Sequence, residues 1–272
     1  MLAIATALAA AAWLVALPIL RSRRRRRLTR RILPQEWRDW LTNRLPMYGR
    51  LPSELRDRLH GLIAVFIHEK RFVGCNDLVV TDEMRVMVAA YACLLVVNRP
   101  EVPHAHFYDD LFSILVYPTP FVVPQSHHDE DGVVTESRDV LSGQAWDSRR
   151  IILSWQDIEE SSTGTQNVVL HEFAHYLDME DESMDGAPGL GGSRAYEQWS
   201  EVFWDEYERL CDQVEAGADT FLDPYAASEP AEFFAVVTEA FFMQPQELES
   251  HHPGVYEQLR KYYRVDPARW VG

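Results

Sequence analysis

Cysteine is scarce: Cys75, Cys93 and Cys211 are odd in number, far apart and in no CxxC pair. That excludes a disulfide framework and a cysteine-built zinc site, and the thiols read as reduced. Internal repeats are absent, as is low-complexity sequence apart from one arginine run, so no repeat architecture organises the chain. Acid is missing from residues 1–31, where eight arginines stand. Elsewhere basic charge is deficient: 26 Lys and Arg face 42 Asp and Glu, the chain nets −16, and the part after residue 31 nets −24. So acidic a body does not suit a phosphate backbone, which excludes direct nucleic-acid binding by the folded part. What remains, 272 residues of which 47% are hydrophobic, is enough for one globular catalytic domain.

Long apolar runs are lacking with one exception. Residues 1–20 hold no charged side chain and would extend roughly 30 Å as a helix, the thickness of a bilayer core. Arg21, Arg23, Arg24, Arg25, Arg26, Arg27, Arg30 and Arg31 follow, and such a cluster stays on the cytoplasmic side. A cleaved signal peptide has the reverse order of charge. The expectation is a single transmembrane helix over 1–20, a basic juxtamembrane linker over 21–50 and a catalytic domain over 51–272. That is an inner-membrane protein with its body in the cytoplasm; the alternative is a wholly cytoplasmic protein.

Within the body, Leu55, Leu59, Leu62, Ile63 and Phe66 recur at helical spacing, and Thr81-Asp82-Glu83 opens a second helix to Val97. Short β-type runs follow at 114–117, 121–123, 133–134 and 151–153, cut by prolines and a glycine. Helical patterns return over 166–178, 194–215, 230–243 and 245–263. Helices, then a small mixed or antiparallel sheet, then helices read as an α+β domain.

His171-Glu172-Phe173-Ala174-His175 is an HExxH motif on one of these helical stretches. Histidines four apart share a face and can both reach one ion at about 2.0–2.1 Å, while Glu172, one residue round, sits beside the metal and can serve as general base. With 10 His and 23 Glu in the chain, chance supplies only ~0.03 such matches. A catalytic zinc site needs a third protein ligand and an open position. Glu232, in the first turn of the 230–243 helix behind Pro230, is the best remote candidate, with Glu239 two turns further on the same face. The rival is Asp181, ten residues after His171, where some zincins place their third ligand after a glycine turn. Asp178 occupies that glycine position here, and it is also placed to accept a ring N–H from a ligand histidine.

HEFAHYLD, YAASEPAEFFAVVTEAFF, VYPTPFVV and SGQAWDSRRIILSW, in that motif set and over about residues 50 to 268, resemble the MtfA family of zinc metallopeptidases. The resemblance implies a zincin of the glutamate-ligand type with Zn2+ on His171, His175 and Glu232, Glu172 as base and Tyr225 beside the site, where its phenol can donate to an oxyanion. It further implies aminopeptidase-like activity on peptides and a partner in Mlc, a glucose-responsive transcriptional repressor. The rival function is a regulatory binding module that sequesters such a repressor, its zinc site mainly structural. His127-His128, His104 and His106, and His251-His252 receive no ligand role.

Overall fold

The computed structural model describes residues 16–103, 107–120, 150–161, 164–181 (Asp181 by its backbone) and 183–271. The chain folds mainly into helices: α1 (16–28), α2 (Gln35–Arg44), α3 (Ser53–Glu69), α4 (Asp82–Leu95), α5 (Trp155–Glu160), α6 (Val168–Asp178), α7 (Ser193–Glu215), α8 (Pro230–Met243), α9 (Pro245–His251) and α10 (Pro253–Tyr263). One sheet accompanies them, with strands β1 (Arg71–Gly74), β2 (Ser113–Tyr117) and β3 (Arg150–Ser154) in the order β1-β2-β3, both pairs parallel.

The helices begin where local chemistry ends the preceding backbone. Thr81 Oγ1 accepts the Met84 N–H to start α4, and Asn167 Oδ1 accepts the Leu170 N–H to start α6. Pro230, Pro245 and Pro253 occupy first turns, where a missing N–H costs nothing. Pro253 also divides the helix expected over 245–263 into α9 and α10, with His252 between them outside the helical region at φ −133° and ψ 61°.

Two expectations are corrected. The α+β reading with a mixed or antiparallel sheet gives way to a mostly helical fold with a small parallel sheet. The reason lies in β1, a four-residue strand without an apolar run, whose pairing with β2 makes α4 the crossover that parallel strands require. The runs at 121–123 and 133–134 lie outside the described residues. The transmembrane anchor, and the inner-membrane placement built on it, are corrected as well: among the described residues no helix is long and apolar enough to cross a membrane. Residues 1–15 lie outside the described residues.

One arginine of the run, Arg25, is buried, while the others are exposed. Arg25 is 1% exposed; its guanidinium donates to both oxygens of Glu69 at 2.9 and 2.7 Å, to Asp109 Oδ1 at 2.7 Å and to the Pro103 carbonyl at 2.6 Å. Arg25 also lies over the Phe107 ring, 5.6 Å from its centroid. Leu28, Leu33, Leu41 and Leu45, in the span expected as a linker, join the same core as Leu59 and Phe66.

Candidate active site

Helices α6 and α8 pack side by side and form the two walls of the site. On α6, Val169, Leu170, Phe173, Ala174 and Leu177 are buried, with Phe173 against Phe66 and Tyr108 at centroid distances of 5.8 and 5.1 Å. The opposite side of α6 turns His171 and His175 toward a cleft of about 750 Å³, also lined by Glu172, Asp157, Phe221, Asp223, Tyr225 and Glu239. Helix α8 is apolar on its other faces, where Phe233 and Phe234 meet Phe203 and Trp199 of α7, so Glu232 in its first turn is set by a rigid, aromatic-backed element.

The structure brings the three expected ligands together. Nε2 of His171 and Nε2 of His175 are 3.1 Å apart, and Oε2 of Glu232 lies 3.0 Å from the first and 3.4 Å from the second. A tetrahedral ion with bonds of about 2.0–2.1 Å separates its ligand atoms by roughly 3.3 Å, so this triangle of two nitrogens and one oxygen has the size and donor chemistry of a metal site. Glu232 Oε2 is buried and faces both rings, with no hydrogen bond from elsewhere among the described residues. The three residues are the group of potential metal ligands found among the described residues.

Charge in the site is strongly coupled. Burial opposes ionisation of Glu232, but the two imidazoles beside it hold its carboxyl well below the ordinary range. Burial likewise opposes the imidazolium of His171, and the carboxylates of Glu232 and Glu239 outweigh it, so its pKa stands well above the usual value. Burial lowers His175. Glu172 is buried, with Oε2 unpartnered among the described residues; desolvation, against the pull of His171 and with Glu232 and Glu239 adding to it, pushes its pKa up to about 7.

Tyr225 sits at the rim, its ring centroid 6.4 Å from that of His171. Asp223 holds it there: Oδ1 accepts the Tyr225 N–H at 2.9 Å, and Oδ2 accepts from the Gln166 side chain at 2.6 Å, tying the loop before α8 to the start of α6. Ser228 does not cap α8; its hydroxyl donates to the Tyr225 carbonyl, and Glu229 takes the cap position.

Asp178 does not lie in solvent. It is fully buried, and Oδ2 accepts the Gly186 N–H at 2.9 Å. Asp181 closes the 3₁₀ turn Met179–Asp181 that follows α6. The acceptor for a ligand ring is Glu239, whose Oε1 lies 2.8 Å from His171 Nδ1. Its position two turns after Glu232 was the available signal, but spacing alone does not tell which acid meets which ring. His252 pairs with Glu206 at 2.8 Å and His251 stacks on Phe221. His104, His106, His127 and His128 lie outside the described residues.

A family model described as glucose-regulated metallo-peptidase M90 matches residues 19–264. An uncharacterized protein of Synechocystis sp. is 43% identical over 249 residues, covering 90% of this chain and 89% of its own. Mlc titration factor A of Yersinia pestis and that of Yersinia pseudotuberculosis are each 33% identical over 243 residues, covering 86% of this chain and 87% of theirs. With an HExxH helix, a converging glutamate and matches over nearly the whole length, the chain belongs to the M90 family of glucose-regulated metallopeptidases.

Proposed function

We propose that the protein is a zinc-dependent peptidase of aminopeptidase-like specificity, with His171, His175 and Glu232 holding the ion, Glu172 as general base and Tyr225 as oxyanion donor. The observation that carries this reading is the convergence of His171 Nε2, His175 Nε2 and Glu232 Oε2 within 3.4 Å of one another on the floor of the cleft. Two imidazoles and one carboxylate are a donor set of catalytic zinc, which supplies Lewis acidity toward water and a scissile carbonyl.

The chain's own groups do the rest. Glu172 Oε2, buried beside the triangle, takes the proton from water as the new C–O bond forms and returns it to the amine in the following step, when the peptide C–N bond breaks. Tyr225, held by Asp223, donates its phenolic hydrogen bond to the former carbonyl oxygen as charge gathers there. β3, one of the two edge strands of the sheet among the described residues, runs directly into α5, whose Asp157 and Glu160 line the cleft; an extended peptide laid along that edge passes the metal ligands.

Metal analysis and a peptide-cleavage assay, with and without chelator, test this. Glu172→Gln keeps bound zinc and loses cleavage by about 10²-fold or more, whereas His171→Ala and Glu232→Ala lose both and Asp181→Ala retains parental zinc. Full turnover in Glu172→Gln, or zinc lost from Asp181→Ala but kept in Glu232→Ala, refutes the assignment.

The name of the Yersinia relatives, Mlc titration factor A, supports a second reading, that of a repressor-sequestering module. In that case purified Mlc-type repressor is retained equally by parent and Glu172→Gln protein.

A further inference from the structure

His171 is gripped from two sides by a single helix. Its Nε2 faces Oε2 of Glu232 at 3.0 Å, and its Nδ1 lies 2.8 Å from Oε1 of Glu239. The two acids are seven residues apart on α8, about 10.5 Å along its axis, so the imidazole bridges two turns of the neighbouring wall. The second oxygen of Glu239 is also engaged: it accepts the backbone N–H of Asn167, the residue whose side chain caps α6. Glu239 is buried, and an ionised carboxylate only accepts hydrogen bonds. The hydrogen between it and His171 is therefore assigned to Nδ1, so that a metal entering the triangle with His175 and Glu232 would displace the Nε2 proton and take the lone pair there.

We propose that Glu239 is a positioning residue that fixes the tautomer and ring orientation of His171 for metal binding and registers that ring to the first turn of α6. The inference rests on the zinc reading of the site above, and not on its peptidase activity. A carboxylate of this kind behind a ligand imidazole raises its basicity and restricts its rotation, and loss of such a partner commonly weakens metal binding 10–100-fold. Glu239→Ala leaves two buried N–H groups, those of His171 and Asn167, facing a void. Glu239→Gln preserves volume but offers one acceptor oxygen to two donors and turns its own amide hydrogens on the other.

The test compares parent, Glu239→Ala and Glu239→Gln in three measurements: zinc dissociation constant by chelator competition, thermal unfolding of the metal-free proteins, and proton–nitrogen NMR of the His171 ring in the zinc-loaded proteins. The expected result is a 10–100-fold weaker zinc constant in Glu239→Ala, a smaller loss in Glu239→Gln, and a slowly exchanging Nδ1–H resonance of His171 that is present in the parent and absent from Glu239→Ala. A merely structural clip would lower the unfolding temperature without moving the ring proton. Zinc constants of folded variants within about threefold of the parent, or an unaltered ring proton, overturn the proposal. So does failure of both variants to fold without metal, which would make Glu239 a fold-holding residue. Parent protein that binds zinc but cleaves no peptide overturns the peptidase reading alone; parent protein that takes up no zinc overturns both.

Discussion

Gly186 is the residue on which the geometry of the site hinges without belonging to it. Its φ of +79° is in the left-handed region, and a Cβ placed there would stand 2.5 Å from the Pro230 carbonyl oxygen. Its N–H is taken by buried Asp178 and its carbonyl by the Trp199 indole at 2.9 Å. The end of α6 and the first turns of α7 are thereby tied to the Gly186 backbone, which packs against Pro230, two residues before Glu232. Gly186→Ala is expected to cost about 3 kcal/mol in denaturant unfolding and to weaken zinc binding, because the relief of the clash must move the Pro230 turn. Parental stability in that variant would show that the turn yields freely. Nothing in the sequence around Gly186 signals that it serves α8. His171 and His175 were legible because HExxH carries its own geometry at spacing four. Glu239 and Asp178 were legible only as acids within reach, and it is Glu239 that the structure sets against the His171 ring.

At the scale of elements, helices declare themselves through caps and periodicity: α4, α6, α7 and α8 fall within a residue or two of the boundaries that Thr81, Asn167 and Pro230 imply. Strands do not. A four-residue strand such as β1 has no room for a periodic pattern, and no local property of β2 or β3 distinguishes a parallel partner from an antiparallel one; that is settled by where α4 crosses. Helix α6 divides its labour by face. Its chemical face needs the aromatic one, where Phe173 meets Phe66, Tyr108 and the rest of the core. Phe173→Ala is expected to destabilise the fold by about 3–5 kcal/mol, read as a lower unfolding temperature, while the protein that remains folded still binds one zinc per chain. Loss of zinc at unchanged stability would place Phe173 in the site and contradict this division.

Across the whole molecule, the arginine run illustrates how a composition argument fails. Eight arginines after an apolar stretch read as a membrane flank, but sequence does not reveal that Glu69 and Asp109, 44 and 84 residues away, would take Arg25 out of solvent. The consequence is measurable with acid. Burial would raise both carboxyls, yet the hydrogen bonds and charge of Arg25 outweigh it, so Glu69 and Asp109 have folded pKa values below their ordinary ones. Unfolded carboxyls at about 4.3 and 3.9 bind protons first as pH falls, so the stability these groups contribute is complete above about pH 5 and is lost on descending through the folded pKa values. Arg25→Met removes the partner. Its unfolding temperature should be lower at pH 7, and its fall between about pH 5 and pH 3 shallower than in the parent; parallel acid limbs would mean that the pair carries no linkage.

The walls of the cleft also have a history in time. His171 and His175 lie in α6 and Glu232 and Glu239 in α8, with the 23-residue α7 between them. Each helix can form from local contacts, but the triangle of ligand atoms exists only after the whole chain between His175 and Glu232, of which α7 is a part, has closed, and loop closure is what slows the assembly of distant contacts. A chain emerging from the ribosome therefore displays HExxH, with no carboxylate opposite it, until α8 has been synthesised and docked. The group of His171, His175 and Glu232 is thus complete only once α8 has docked on α6.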